Sequence, residues 1–228
     1  MRLSLTILTY NEITGLRALY DRIPVDAVDE VVAIDGGSTD GTVEFLRSRG
    51  VDVYGQDAPG RGEAFRIAFR RTSGDALLFF SPDGNENPGD IPKFRPLLEA
   101  GNDMVIATRM VVGAHNEEDV QLFRWRKWAN NAFTLMANVS WNRQKFLSDA
   151  INGFRAITRD AWQRMVLDGH GYTIEYQSSI RAFKCRMRIA EFPTHESSRL
   201  DDRQGSPSIN TGVAFLRLYL SELFRGYP

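Results

Sequence analysis

The chain has 228 residues, 28 Lys and Arg against 29 Asp and Glu, a net charge of −1 and one cysteine, Cys185. At about 150 residues per domain this is one domain with a C-terminal addition, and 43% hydrophobic with 25% charged residues excludes a disordered chain, a fibre and a disulfide-stapled miniprotein. The balanced charge excludes a generally basic nucleic-acid coat, so no nucleic-acid partner is expected, and the lone thiol fits a reducing, cytoplasmic setting.

In chain order, residues 3–8 form a short apolar run predicted as a strand. Asn11 and Glu12 follow too soon for a secretory signal. Residues 13–22 carry Ile13, Leu16 and Leu19 at helical spacing, and residues 30–34 read as a second strand. A helix is predicted over 39–49, with Gly50 closing it, then a strand over 51–54 and a helix over 62–71. Strands at 75–80 and 104–108 flank a helix at 91–100. Residues 123–138 read as a helix loaded with Trp125, Trp128 and Phe133, interleaved with Arg124, Arg126 and Lys127. Strands at 151–157 and 188–192 enclose helices near 159–167 and 174–183, and a polar loop is predicted over 194–210. The last helix, over 211–225, sets Val213, Leu216, Leu220, Leu223 and Phe224 along one side. No stretch approaches the ~20 apolar residues of a spanning helix.

Apolar strands without strict alternation, each followed by a helix, predict an α/β fold with a mainly parallel central sheet flanked by helices. Ligands in such sheets bind beyond the carboxyl ends of the strands, near a topological switch point. Polar segments stand there. Thr9-Tyr10-Asn11-Glu12 follows the first strand, Asp35-Gly36-Gly37-Ser38 the second and Ser81-Pro82-Asp83-Gly84-Asn85 the fourth. The Asp35 segment reads either as an ordinary strand–turn–helix corner or as a site favouring anions at a helix start. Asp83 and Asn85 can offer oxygen ligands to a hard cation, and Asp-Gly-Asn is also a good turn sequence. His115, His170 and His195 lie far apart in the chain, without zinc spacing.

The order Leu8-Thr9-Tyr10-Asn11-Glu12, Ile34-Asp35-Gly36-Gly37-Ser38-Thr39-Asp40-Gly41-Thr42, Gly60-Arg61-Gly62-Glu63-Ala64 and Ser81-Pro82-Asp83-Gly84-Asn85 resembles family 2 glycosyltransferases with the GT-A fold. Asp149-Ala150-Ile151-Asn152-Gly153-Phe154-Arg155 and Glu191-Phe192-Pro193 extend the resemblance to the polyprenyl-phosphate branch, typified by dolichol-phosphate mannosyltransferases. The resemblance spans about residues 1–200. It implies a GT-A, Rossmann-like domain over 1–208, with 209–228 as an amphipathic helical extension.

The resemblance further implies that Thr9, Tyr10, Glu12, Asp35, Gly37, Arg61 and Asp83 bind the nucleotide sugar. Asp83 takes the metal-binding place of the family's Asp-x-Asp-x-Gln pattern, with Asn85 in place of the Gln, for Mg²⁺ or Mn²⁺. Ser81 replaces the first acid, which leaves that site poorer in charge. Arg109 and Arg124 match positions for the acceptor phosphate, and Glu175 matches an acid on the helix after Gly-Phe-Arg. Arg199 and Arg203-Gln204-Gly205-Ser206 loosely echo a terminal Arg-x-x-Gly-x-Ser-Lys element. The implied reaction is inverting transfer from GDP-mannose or a UDP-hexose to a polyprenyl phosphate, with Asp83, Asp149 and Arg124 as catalytic residues. A lipid phosphate is already anionic, whereas a saccharide hydroxyl needs a base, for which Asp149 is the candidate. A soluble or lipid-linked saccharide is the alternative acceptor, and a non-catalytic nucleotide-sugar-binding protein the alternative from another class. Without a spanning segment, the Arg/Trp stretch, the last helix or a membrane-protein partner must bring the chain to a lipid acceptor. A helix of this kind is more often a docking or homodimer helix than a membrane anchor.

Overall fold

The computed structural model describes residues 1–116, 119, 125–200 and 208–226. Seven strands, β1 (Leu3–Thr9), β2 (Glu30–Asp35), β3 (Asp52–Gly55), β4 (Ala76–Phe80), β5 (Met104–Thr108), β6 (Arg155–Thr158) and β7 (Ile189–Pro193), form one sheet in the order β3-β2-β1-β4-β6-β5-β7. Every ladder is parallel except those of β6, which runs antiparallel to both β4 and β5. All residues of β1, β4 and β5 are buried. That is why β4 and most of β5 read as continuous apolar runs and why even Ser4 and Thr6 of β1 are buried: helices cover both faces of the sheet.

One face is covered by α1 (Ile13–Leu19), α2 (Thr42–Ser48) and α4 (Phe94–Glu99). Leu16, Leu46 and Phe94 pack there against Leu5, Leu78 and Phe80. The other face carries α3 (Arg61–Arg71), α5 (Trp125–Trp141), α6 (Arg159–Met165), α7 (Thr173–Lys184) and α8 (Ser208–Phe224). Phe65, Ala137, Tyr176 and Phe215 pack there with Leu77, Phe79 and Ile106. Fully burying one such Leu or Phe is worth about 1.5–3 kcal/mol. Most predicted elements agree with these to within a few residues.

Three boundaries differ for identifiable reasons. The helix predicted over 39–49 begins only at Thr42. The Asp40 carboxylate accepts from Ile13 N at 3.1 Å and from Thr42 N and Oγ1 at 3.1 and 2.6 Å, so the preceding residues are held as a loop. The helix predicted over 91–100 opens as a 3₁₀ segment, Pro88–Lys93, before α4. The strand predicted over 151–157 begins at Arg155. Asp149 Oδ1 accepts from Ile151 N at 3.3 Å and Asn152 N at 3.1 Å, bending the chain out of the sheet.

The sequence of α8 predicts an amphipathic helix, and the structure gives its orientation. Phe215 and Glu222 face inward, while Val213, Leu216, Leu220, Leu223 and Phe224 are exposed.

Candidate active site

The carboxyl ends of β1 and β2 carry a crest of loops organised by Asp35. This buried carboxylate accepts from Thr9 Oγ1 at 3.0 Å and Ser38 Oγ at 2.5 Å on one oxygen. On the other it accepts from Gly37 N at 2.9 Å and Ser38 N at 2.8 Å. Gly37 adopts φ +96°, which glycine reaches without strain. Asn11, also left-handed, ties the two loops together: its N–H donates to Ser38 Oγ at 2.7 Å, and its Oδ1 accepts from Thr39 N at 2.8 Å. Glu12 N donates to Thr42 Oγ1 at 2.9 Å. Tyr10 projects from the crest, 63% exposed. Thus Thr9, Asp35 and Gly37 come together at one crest, with Tyr10 and Glu12 beside them.

Next to this crest, beyond the end of β4, lies a cavity of about 260 Å³. Its charged wall includes Arg61, Asp83, Glu86, Arg109, Glu196 and Arg199. Trp125, Phe133 and Phe215, from α5 and α8, form an apolar wall. The crest residues lie outside its lining. Gly15 lets α1 lie against the β4 loop, since a Cβ there would sit 1.8 Å from the Pro82 carbonyl oxygen.

Arg61 opens α3. Its Nη1 donates to Ser81 Oγ at 3.1 Å, and its Nε is engaged by Glu175 of α7. Asp83 Oδ1 accepts from Asn85 N at 3.0 Å. Arg199 reaches both predicted metal ligands, with Nε 2.8 Å from Asn85 Oδ1 and Nη2 3.4 Å from Asp83 Oδ2. Ser81 brings no charge of its own, but its N–H donates to Glu86 Oε2 at 2.7 Å. Enclosure, then the neighbouring Asp83 charge, push the Glu86 carboxyl up to about 8 against the pull of the Ser81 amide and Arg61. No group of three His, Cys, Asp or Glu among the described residues is placed to share a metal. One or two carboxylates are nonetheless what a hexacoordinate ion needs when substrate phosphates and water supply its other ligands. Asp83 and Asn85 offer such oxygens, and a nucleotide-borne divalent ion held by them would take the place of the Arg199 guanidinium.

Arg109 lines the cavity, and Asp149 stands behind it, without exposed surface. Nε and Nη2 of Arg109 lie 2.8 and 3.2 Å from the two Asp149 oxygens, and Nη1 lies 3.0 Å from Glu196 Oε1. Burial opposes the Asp149 charge, but the Arg109 guanidinium outweighs it and holds the carboxyl below the usual range. Arg155, of the Asn-Gly-Phe-Arg segment, is wholly buried. It ties the 149–152 loop to α7 by donating to Ala150 O at 3.2 Å, Asn152 O at 2.7 Å and Glu175 O at 2.8 Å. Arg124 and residues 203–206 lie outside the described residues, while Trp125 and Arg126 line the cavity.

Sequence reasoning missed Glu86 and Glu196. Glu86 stands one residue past the recognised motif. Glu196 is 87 residues from Arg109 and reaches it because β7 runs beside β5, with Thr194 N bonded to Thr108 O at 2.9 Å. His115 and His195, far apart in sequence, stack with ring centroids 4.4 Å apart.

A parallel sheet with a single reversed strand, a loop crest beyond β1 and β2 and a β4 loop opening on a cavity walled by arginines and carboxylates make up a GT-A fold. Residues 4–166 match the model of Glycosyl transferase family 2, and the chain belongs to that family. It is 30% identical over 218 residues to glycosyltransferase AglJ of Haloferax volcanii, covering 92% of this chain and 69% of that protein. It is 25% identical to the dolichol-phosphate mannosyltransferase of Pyrococcus furiosus over 76% of this chain, and spans about half of that protein's length (51%). The fold is similar to that of glucosyl-3-phosphoglycerate synthase of Mycobacterium tuberculosis, solved with Mn²⁺ and UDP-glucose. The TM-score there is 0.72 at 24% identity, covering 100% of this chain and 80% of that one.

Proposed function

We propose that the chain transfers a hexose, with inversion, from GDP-mannose or a UDP-hexose to a polyprenyl phosphate at the cytoplasmic face of a membrane. The observation that carries this reading is the composition of the cavity. Its arginines suit a phosphate, and its apolar wall of Trp125, Phe133 and Phe215 suits the first units of a hydrocarbon tail. The names of several relatives support it: a dolichol-phosphate mannosyltransferase, a dolichyl-phosphate hexose transferase and undecaprenyl-phosphate 4-deoxy-4-formamido-L-arabinose transferases. No helix among the described residues is long and apolar enough to cross a membrane.

On this reading, Thr9, Tyr10, Glu12, Asp35 and Gly37 hold the nucleoside, and Arg61 approaches the donor phosphates. Asp83 and Asn85 hold Mg²⁺ or Mn²⁺, with Glu86 facing the same space. Such an ion neutralises charge growing on the departing nucleoside diphosphate. Arg109, with Arg124, receives the acceptor phosphate. Asp149 serves as a positioning residue that fixes the Arg109 guanidinium. Because a phosphate acceptor is already anionic, transfer needs no free base, consistent with a carboxyl held ionised by Arg109.

A saccharide hydroxyl is the second reading, favoured by Glu86. A carboxyl at about 8 in the cavity wall matches a general base near neutral pH better than Asp149 does.

A thermal-shift screen of nucleoside diphosphates and their sugars, each with Mg²⁺, Mn²⁺ or EDTA, tests the donor site. A ligand at 100 times its Kd adds about 2.7 kcal/mol. A metal-dependent shift with one base supports the donor site and names the base. No shift with any nucleotide contradicts the transferase reading and favours a non-catalytic role.

A further inference from the structure

Glu191 lies on β7 opposite Ile106 of β5 and is not among the residues that line the active-site cavity. It borders instead a separate cavity of about 230 Å³, between the segment after α5 and the end of α7. Its carboxylate engages the loop that carries Asp149. Oε1 accepts from Ser148 Oγ at 2.8 Å and from Asp149 N at 3.1 Å, and Oε2 accepts from Ser148 N at 2.9 Å. Burial pushes the Glu191 carboxyl above its ordinary range, and the donors on Ser148 and Asp149 offset part of that rise. Three donors shared over two oxygens suit a carboxylate, whereas an amide would turn its own N–H groups against one of them.

Ser148 Oγ also lies 2.6 Å from Thr108 Oγ1, which accepts from Met110 N at 3.2 Å. The ends of this chain fix its direction. An amide N–H only donates and an ionised carboxylate only accepts, so Thr108 donates to Ser148 and Ser148 to Glu191. Thr108 and Met110 are the two neighbours of Arg109. The chain therefore anchors the backbone on both sides of Arg109. Asp149, whose own N–H the same carboxylate holds, grips the Arg109 guanidinium at 2.8 and 3.2 Å. One carboxylate thus reaches both the main chain and the side chain of Arg109. Linked hydrogen bonds in a buried setting reinforce one another, so a break at one member is felt along the line.

We propose that Glu191 is a positioning residue for the acceptor: through Ser148 and Asp149 it sets the place and angle of the Arg109 guanidinium without touching substrate. Supporting groups of this kind matter because a binding side chain misplaced by about 1 Å can cost a hundredfold in rate. The inference deepens the lipid-phosphate reading, on which the identity of the ligand at Arg109 rests. The path from Glu191 to Arg109 rests on the geometry alone.

The test is a double-mutant cycle of Glu191→Gln and Arg109→Lys, read on the full chain as KM for a short prenyl phosphate and as Kd for the nucleotide sugar that stabilises it. Glu191→Gln alone should raise the acceptor KM about tenfold, the worth of a lost hydrogen bond to a charged group. The donor Kd should stay within about twofold. Lysine keeps the charge at position 109 but cannot be gripped as a fork. In that background Glu191→Gln should add less than about twofold to the acceptor KM, because its route is already cut. Two KM effects that multiply in full overturn the proposal, since Glu191 then acts by some other path. So does a rise in donor Kd as large as the rise in acceptor KM, which marks a general loss of structure. Ser148→Ala keeps the bond to Asp149 N and cuts the Thr108 branch. It should show the same non-additivity at smaller amplitude, and it carries the cycle if Glu191→Gln does not fold. If wild type glycosylates hydroxyls only, the phosphate reading falls. The same cycle is then read on the KM for that acceptor, where non-additivity supports the positioning role and full multiplication, or no effect of either variant, overturns it.

Discussion

Asp149 grips Arg109 by two parallel hydrogen bonds, Nε to Oδ2 at 2.8 Å and Nη2 to Oδ1 at 3.2 Å, with the carboxylate wholly buried. The guanidinium at the cavity wall is thus aimed from behind, and Glu196 takes its remaining arm. Removing one partner of a buried pair costs about 3–5 kcal/mol, and without Asp149 the guanidinium keeps only Glu196 while Ile151 N and Asn152 N lose their acceptor. Asp149→Ala should lose that much stability in urea unfolding. In the folded fraction, the KM for a phosphate acceptor should rise with donor affinity kept. A loss under 1 kcal/mol, or an equal loss of donor affinity, speaks against the positioning role.

Asp83 is partly exposed in the loop after β4, where its carboxylate meets Asn85 N and Arg199. Asp83→Ala should leave the melting temperature of the ligand-free protein within about 4 °C. The metal-dependent part of the nucleotide-induced shift should disappear. A metal-dependent shift that survives in the variant would place the ion elsewhere.

The Glu86 carboxyl, at about 8, stands above its ordinary 4.5. Between those values the folded state binds more protons than the unfolded one, so Glu86 makes stability fall as pH rises. In EDTA, Glu86→Gln should remove this contribution. The difference in melting temperature, variant minus wild type, should grow from pH 5 to about pH 8 and then level off. Saturating Mg²⁺ and nucleotide should shrink it. Parallel curves across that range would show that Glu86 titrates normally.

A Cβ on Gly15 would sit 1.8 Å from Pro82 O and 3.4 Å from the Asp83 Cα. Both are backbone atoms with little freedom to yield. Gly15→Ala should cost about 1–3 kcal/mol through overpacking. It should also weaken nucleotide binding by displacing the Asp83 loop. Unchanged binding with full stability would mean that α1 does not set the position of that loop.

Much of this was legible because a parallel sheet writes itself as continuous apolar runs, so β1, β2, β4 and β5 announce themselves. The loops that follow them fall at the ligand side by topology alone, which brought Thr9, Asp35 and Asp83 to adjacent strand ends. What the sequence hid depends on long-range partners. Nothing local says that Asp149 will meet Arg109 forty residues away, or that its carboxylate will bend residues 151 and 152 out of a strand. The stripe on α8 is visible as a pattern. Its outward direction comes from Glu222 meeting Lys184, 38 residues earlier. Glu86 escaped because the carboxyl serving the loop after β4 sits outside the motif's spacing, where Ser81 had suggested a simple loss of charge.

The acceptor is the central question, and one assay addresses it directly. The chain is incubated with Mg²⁺ and the nucleotide sugar that stabilises it. It is offered, in parallel, a short prenyl phosphate, the matching prenol and a simple glycoside, and products are read by mass spectrometry. Phosphate-directed hexosyl transfer predicts a prenyl phosphohexose, its anomeric carbon bonded to the acceptor phosphate oxygen as the nucleoside diphosphate leaves, from the prenyl phosphate alone and suppressed by EDTA. Transfer to a prenol or glycoside hydroxyl with none to the phosphate would contradict it.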